Sequence, residues 1–502
     1  MDIAEARSTP SSPADSAEAD LAQFGYRQQL HRSIGSYTTF ALAFSMISVT
    51  TTVFTLFAQP FQAIGGVGIW LWLPVGFGVV LITLVYGHLA ARLPVTGYAY
   101  QWASRIVSPD YGWFTGWNAL LCTLVGSAGI SVALASVFAP DLWSSPTHWD
   151  VAMLAVIAII VAVFINVLSI KAASTVNNAG ATMELFGTIG FTVVLAFGII
   201  FFHHVQGPSV LFQHGSSNGS GFGFDTIGLA LLLPIWTLAG WEGSADLAEE
   251  TNDPRRVAPR AMLRAVVISG VAAFFIYAVF AMAISGSISH TVDGTGNPMV
   301  AIYSGHFGGF AADLLQIVAF VAMLSCLLAN ITCATRTGFS LARDRMLPFS
   351  RVWSSVNEKT ATPVYTIIAV GVFAIIVNLL SGGFVTNVLS VVNVALYLTY
   401  GSTALAVLIA HRRRSIPDAP AGYFGLGRWL VPVSVTCVVF SIAVVVFMIG
   451  PASSHVVLLY AACFEAAGVA WYFAAVRGRL QRGEAGPALA ARLASEEGGV
   501  SA

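Results

Sequence analysis

Charge is what this chain has least of. Only 9% of its 502 residues are Asp, Glu, Lys or Arg, while 56% are hydrophobic and the mean hydropathy is +0.78. A water-soluble domain carries about 25% charge, so most of this surface faces lipid rather than water. The formal net charge of −1 gives no electrostatic basis for a nucleic-acid partner. Cysteine is scarce as well. Cys122, Cys326, Cys333, Cys437 and Cys463 lie in or beside apolar runs without CxxC spacing, which fits packing rather than disulfide or metal chemistry. There is no GxxxxGK[ST] loop and no clustered set of metal ligands, so nucleotide-driven work, a metal and a cofactor are not expected. A secretory signal is also missing. The first ~35 residues mix Ala, Ser, Asp, Glu and Pro without a basic-then-apolar pattern, and residues 1–35 read as a mobile tail, with 481–502 as a tail at the other end.

What the chain has instead is repetition of apolar runs of about 20 residues, the length one helix needs to cross a bilayer core. Twelve begin near residues 38, 69, 113, 151, 177, 226, 265, 311, 364, 386, 430 and 455. The expected fold is an all-α membrane protein of twelve transmembrane helices, spans 1–12, within residues 36–480. Basic residues set its direction. With both termini inside, the inner segments (the tail to Tyr37, then 92–112, 169–176, 248–264, 342–363, 411–429 and 477–502) hold 22 of the 23 Lys and Arg residues. The last, Arg336, falls near the inner end of span 8, and the outer segments hold none. This positive-inside pattern implies a multi-pass protein of the cytoplasmic membrane with both termini cytoplasmic.

Two spans carry irregular sequence at membrane depth. Span 1 reads FSMISVTTTVFTLFAQP, with Ser48, Thr50, Thr51 and Thr52 in its middle. Span 6 reads PIWTLAGWEGSADLAEET, with Pro234, Gly240 and Gly243 around two tryptophans. Irregular backbone within a membrane survives where it lines a cavity, and transporters with inverted repeats break one helix at matching places in each half. Spans 1 and 6 are five apart, as a five-plus-five arrangement requires. A freed N-terminus in span 1 would offer N–H groups to a carboxylate, and unwound carbonyls would face an ammonium. Threonine clusters, Gly and Pro also occur in membrane helices simply as packing or as back-bonding to the preceding turn.

At these residues the chain resembles the amino acid–polyamine–organocation family. ISVTTTVF followed by AIGG resembles the family's broken first helix, usually a Gly-Ser-Gly stretch. RLPVTGYAYQWASRIVSPDYGWFTGW resembles its Pro-x-x-Gly-Gly-x-Tyr-x-Tyr loop, with Tyr98 at the second glycine. WTLAGWEGSADLAEETNDPRRVAPRA resembles its sixth-helix signature, and ATRTGFSLARDRMLP its eighth-helix exit. The long Ala-Asp-Leu-Ala-Glu-Glu-Thr form is most similar to the branch carrying amino acids, 4-aminobutyrate, choline and related amines.

The resemblance implies alternating access and a five-plus-five inverted repeat, with spans 1–5 over about 38–202, spans 6–10 over about 226–410, and two further helices over about 430–476. It implies a small amino acid or amine as substrate, moved by symport or exchange, with a coupling proton in many members. Thr50, Thr51 and Thr52 take the Gly-Ser-Gly position that holds a substrate carboxylate. Trp236 takes that of the aromatic that closes over substrate as a gate. Thr237, Leu238, Ala239 and Gly240 take the unwound segment, with Trp241 beside them, and Glu242 takes that of the neighbouring acid. Two departures stand out. Threonines replace the glycines of span 1, and Glu184 lies where several proton-coupled members carry a lysine.

An ionisable group in a membrane helix costs about 2.5–3.5 kcal/mol at mid-depth on insertion scales and normally faces a cavity. Glu242 is thus a candidate to pair with a substrate ammonium or to take up a proton; alternatively it ties span 6 to a neighbour. Glu184 is a coupling candidate or a structural hydrogen-bond hub. Asp246, Glu249 and Glu250 read as an inner helix end whose ion pairs lock that face. Arg336, Arg343, Asp344 and Arg345 read as a snorkelling interface. A channel would need polar rings sustained through the span, and a membrane enzyme a nucleophile–base or metal constellation. The reading is a secondary transporter, with an organic-cation permease for choline or polyamines, or an amine sensor, as the alternatives.

Overall fold

In lipid, a chain satisfies its backbone N–H and C=O groups within each segment, which makes apolar runs of bilayer length into helices. A computed structural model of the protein describes residues 21–201, 205–215, 223–294, 296–357, 359–381, 385–419, 422–451 and 455–489. Ten helices among the described residues are long and apolar enough to cross a membrane. These are span 1 (Ser36–Leu56), span 2 (Gly66–Ala90), span 3 (Pro109–Leu142), span 4 (His148–Leu168), span 5 (Ile170–Ile199), span 7 (Pro254–Met282), span 8 (Gly309–Arg343), span 10 (Asn387–Arg413), span 11 (Gly427–Ile449) and span 12 (His455–Gln481). Two shorter apolar helices, Phe224–Thr237 and Val364–Leu380, are spans 6 and 9. The protein is a multi-pass, all-helical membrane protein.

Spans 1 and 3 are almost wholly enclosed, while spans 5, 11 and 12 lie at the periphery. Large apolar side chains on outer faces, such as Phe77 (65% exposed) and Phe164 (62%), form the surface that meets lipid. The buried core joins spans 1, 2, 3, 6, 7, 8 and 10 in one cluster.

Several boundaries differ from the sequence reading. Span 7 begins at Pro254, because proline is preorganised for the first helical position. Arg255, Arg256, Arg260 and Arg264 therefore ride on a helix rather than in a loop. The segment after span 2 contains a further buried helix, Tyr98–Ile106. The mobile tail expected over 1–35 is packed from Leu21 onward, with Leu21, Tyr26, Leu30 and Ile34 all buried. Its end pairs with the chain after span 6: Ser33 and Ile34 donate backbone N–H to Glu250 O (3.0 and 2.9 Å), and Asn252 donates to Ile34 O at 2.9 Å. Beyond span 12, Ala485 and Leu489 are also buried. The remainder of both expected tails, 1–20 and 490–502, lies outside the described residues.

Candidate substrate site at the paired helix breaks

Span 1 breaks at Ser48. Its first half (1a, Ser36–Ile47) ends there and its second half (1b, Val49–Leu56) starts there, with Ser48 in the left-handed region at φ 35°, ψ 83°. Serine tolerates the strain because it also serves as the N-cap of 1b: Ser48 Oγ accepts from Thr51 N at 3.3 Å. The break thus precedes the threonines that the resemblance points to. The hydroxyls of those threonines are engaged within the protein. Thr50 Oγ1 pairs with Thr188 Oγ1 at 2.8 Å, Thr51 Oγ1 with Ser48 Oγ at 2.6 Å, and Thr52 Oγ1 donates to Val49 O at 3.0 Å.

Span 6 breaks between its first half (6a, Phe224–Thr237) and a short turn of helix, Gly243–Asp246. Thr237 Oγ1 donates back to Leu233 O at 2.7 Å, and Ala239 N to Trp236 O at 3.2 Å, which tightens the last turn of 6a. Gly240 then turns the chain at φ +98°. A Cβ there would lie 2.8 Å from Met46 Cβ and 2.9 Å from Met46 O, so glycine is required both for its backbone conformation and for close approach. Met46 is two residues before Ser48. The two breaks therefore pack directly against each other in the enclosed centre of the bundle.

A carboxylate sits at each break. Span 5 widens to a π-turn over Glu184–Thr188, an irregularity common at functional sites, and both its end residues reach span 1. Glu184 Oε1 accepts from Thr50 N at 2.9 Å and from Ser48 Oγ at 3.1 Å. Glu184 is 2% exposed, and its Oε2 has no hydrogen-bond partner among the described residues. Glu242 closes the span 6 linker, is buried, and accepts from Tyr400 Oη at 2.8 Å. Trp241 stacks on Tyr400 (centroids 5.2 Å apart) and meets Tyr86 edge-on at 5.0 Å. Trp236, the expected gate, is buried in the last turn of 6a. Leu238 turns away, its side chain lining an apolar groove of about 390 Å³ with Trp72, Phe77 and Phe274; its backbone alone belongs to the break. Ala239 is half-buried between them.

The acids after the span 6 break are paired differently. Glu250 and Arg336, both buried, make a bidentate pair (Oε1–Nη2 2.9 Å, Oε2–Nε 3.1 Å), and Glu249 pairs with Arg343 at 2.9 and 3.0 Å. Asp246 accepts from Gly97 N at 2.8 Å and Thr337 Oγ1 at 2.9 Å. Arg336, Arg343 and Asp344 do not snorkel to lipid: all three are buried or nearly so, and carboxylates within reach hold the two arginines inside, since a buried charge must be paired. The packed N-terminal segment completes this end. Tyr26 Oη donates to Asp344 at 2.8 Å, Tyr100 Oη donates to the same carboxylate at 2.7 Å, and the Arg343 guanidinium lies 3.7 Å from the Tyr26 ring centroid. Burial and the Asp344 carboxylate push the Tyr26 phenol well above its ordinary range, so it remains a donor.

Sequence reasoning missed Tyr400, Thr188 and the Tyr26 contacts. Nothing in the spacing of VALYLTYG singles out Tyr400. The tail did carry a signal in its apolar residues Leu21, Phe24, Tyr26, Leu30 and Ile34, which a fully solvated segment has no use for.

A family model described as amino acid permease matches residues 34–464. Among curated proteins, the chain is 26% identical over 440 residues to "Amino-acid permease 2" of Neurospora crassa, covering 82% of this chain and 79% of that protein. It is 23% identical over 446 residues to "Amino-acid permease BAT1" of Arabidopsis thaliana, covering 83% and 84%. It is 24% identical over 454 residues to a "Putative polyamine transporter" of Candida albicans, covering 85% and 80%.

Proposed function

The chain belongs to the amino acid permease family, and on that premise we propose a secondary active transporter that moves a small amino acid or amine by alternating access, with substrate held between the breaks of spans 1 and 6. The observation that carries this reading is the contact of Gly240 with Met46, which places two interrupted helices against each other in the most enclosed part of the bundle. Interrupted backbone there supplies fixed N–H and C=O dipoles to a substrate without further unfolding. In this reading Ser48, Thr50, Thr51 and Thr52 form one wall, the backbone from Thr237 to Gly240 the other, and Trp236 closes over the substrate. The basic end is cytoplasmic, with both termini, by the distribution of Arg and Lys.

Glu184 and Glu242 are the proposed coupling groups. Both are buried, and no Arg or Lys is paired with either among the described residues. A buried carboxylate in that position is stable with a proton or with a bound cation, which is the choice a proton-coupled cycle alternates between. The Glu249–Arg343 and Glu250–Arg336 pairs would then hold the cytoplasmic side closed while substrate occupies the centre.

Uptake of radiolabelled amino acids and amines into proteoliposomes, with and without an imposed pH gradient, tests this. Saturable uptake stimulated by an acidic exterior and lost in Glu242→Gln supports the reading. Absence of uptake or exchange for every compound overturns it.

A further inference from the structure

The N-terminus of half-helix 1b is a place where an anion is stabilised by backbone N–H groups and by the helix dipole, equivalent to about half a positive charge. In this protein the anion is supplied from within. Glu184 Oε1 takes the Thr50 N–H and the Ser48 hydroxyl, and Ser48 Oγ takes Thr51 N. The three threonine hydroxyls are paired with Thr188 Oγ1, Ser48 Oγ and Val49 O. Glu184 therefore already takes the Thr50 N–H that a substrate carboxylate would use at this seat. The second oxygen, Oε2, is buried without a partner among the described residues, as an acceptor awaiting a donor would be.

Glu242 repeats the pattern at the other break. One oxygen accepts from Tyr400, no cation is paired with it among the described residues, and the rings of Trp241, Tyr86 and Tyr400 pack beside it. The contrast with the nearby acids is sharp. Glu249 and Glu250, seven and eight residues further along, each have an arginine. Among the described residues, the chain gives the carboxylates at the end of the bundle an arginine each and gives the two at the breaks none.

We propose that Glu184 is a built-in occupant of the carboxylate seat at helix 1b, and that the transported substrate is therefore a cationic amine without a carboxylate, with Glu184 and Glu242 as the acids that would receive its cationic groups. The inference rests on the breaks being the substrate site. A substrate carboxylate would have to lie beside Glu184 and compete with it for the same N–H groups, whereas an ammonium gains from both acids and from the aromatic faces.

Matched pairs that differ by one carboxylate test this on the purified full-length protein: 1,5-diaminopentane against lysine, 1,4-diaminobutane against ornithine, and choline against glycine betaine. Calorimetric titration of the wild type should give at least tenfold tighter binding of the carboxylate-free member in any pair that binds. Glu184→Gln, which retains an acceptor for Thr50 N while removing the charge, should reduce that ratio at least tenfold. Preference for the amino acid member, or an unchanged ratio in Glu184→Gln, overturns the inference while leaving the transporter reading intact. If no member of any pair binds, while other zwitterionic amino acids are taken up by proteoliposomes, the inference also fails. If nothing is bound or taken up, the transporter reading falls with it. The wild-type ratio is decisive even if the variant does not fold.

Discussion

Replacing Arg336 by methionine probes how the basic end of the bundle is held shut. Arg336 is 1% exposed and Glu250 0%, and their two hydrogen bonds of 2.9 and 3.1 Å form the planar fork that Arg offers a carboxylate. Removing the guanidinium leaves the Glu250 carboxylate buried without its cation, a change that costs about 3–5 kcal/mol. Glu250→Leu strands Arg336 and should cost a similar amount. If the two effects were independent, the double variant Arg336→Met/Glu250→Leu would lose about 6–10 kcal/mol. Replacement of both partners by apolar residues of similar volume is instead often close to neutral, so the double variant should be more stable than either single one. Denaturant titration of the detergent-purified protein, followed by tryptophan fluorescence, measures all four corners of the cycle. A double variant as unstable as the sum of the singles would refute the assignment of this pair as a mutually dependent buried ion pair. The same double variant should leak substrate in proteoliposomes, since this end is then held only by the Glu249–Arg343 pair and the N-terminal segment among the contacts described above.

Other residues give sharper local tests. Gly240→Ala forces a Cβ onto a left-handed φ, at about 1–2 kcal/mol, and against Met46 Cβ at 2.8 Å; uptake should be lost and the melting temperature lowered, and normal uptake would contradict the proposed contact between breaks. Tyr26→Phe removes a donor to Asp344, about 1.5–3 kcal/mol for a hydrogen bond to a charged group, and should make the N-terminal segment cleavable by added protease under native conditions. Tyr400→Phe removes the hydroxyl that fixes Glu242; KM for the transported substrate should rise severalfold with little change in melting temperature.

The number of spans could be read from the sequence because lipid imposes a fixed helix length. The ends of spans were harder to read, since charged residues such as Arg255 and Arg260 continue a helix beyond the apolar core. The break in span 6 was visible because Gly240 is the residue that such a turn demands. In span 1 the threonine run drew attention, yet the left-handed residue is Ser48, where a capping hydroxyl offsets part of the strain. Contacts were the least legible. Arg336 and Glu250 are 86 residues apart, and Thr50 and Glu184 are 134 apart, so no spacing within a helix relates them. Glu184 stood out in the sequence as an acid in an apolar span, but its placement at the N-terminus of helix 1b is a tertiary contact, made from the first residue of a π-turn.

The central claim is that substrate lies between the two breaks, and protection of Ser48→Cys tests it most directly. The purified variant is treated with a small maleimide with and without saturating substrate, and the peptide carrying position 48 is quantified by mass spectrometry, which reads that site separately from the native cysteines. Substrate at the breaks should slow labelling at position 48 at least tenfold while leaving labelling of the exposed Cys463 unchanged. Equal labelling at position 48 with and without a substrate that the variant demonstrably binds would place that substrate elsewhere and contradict the account.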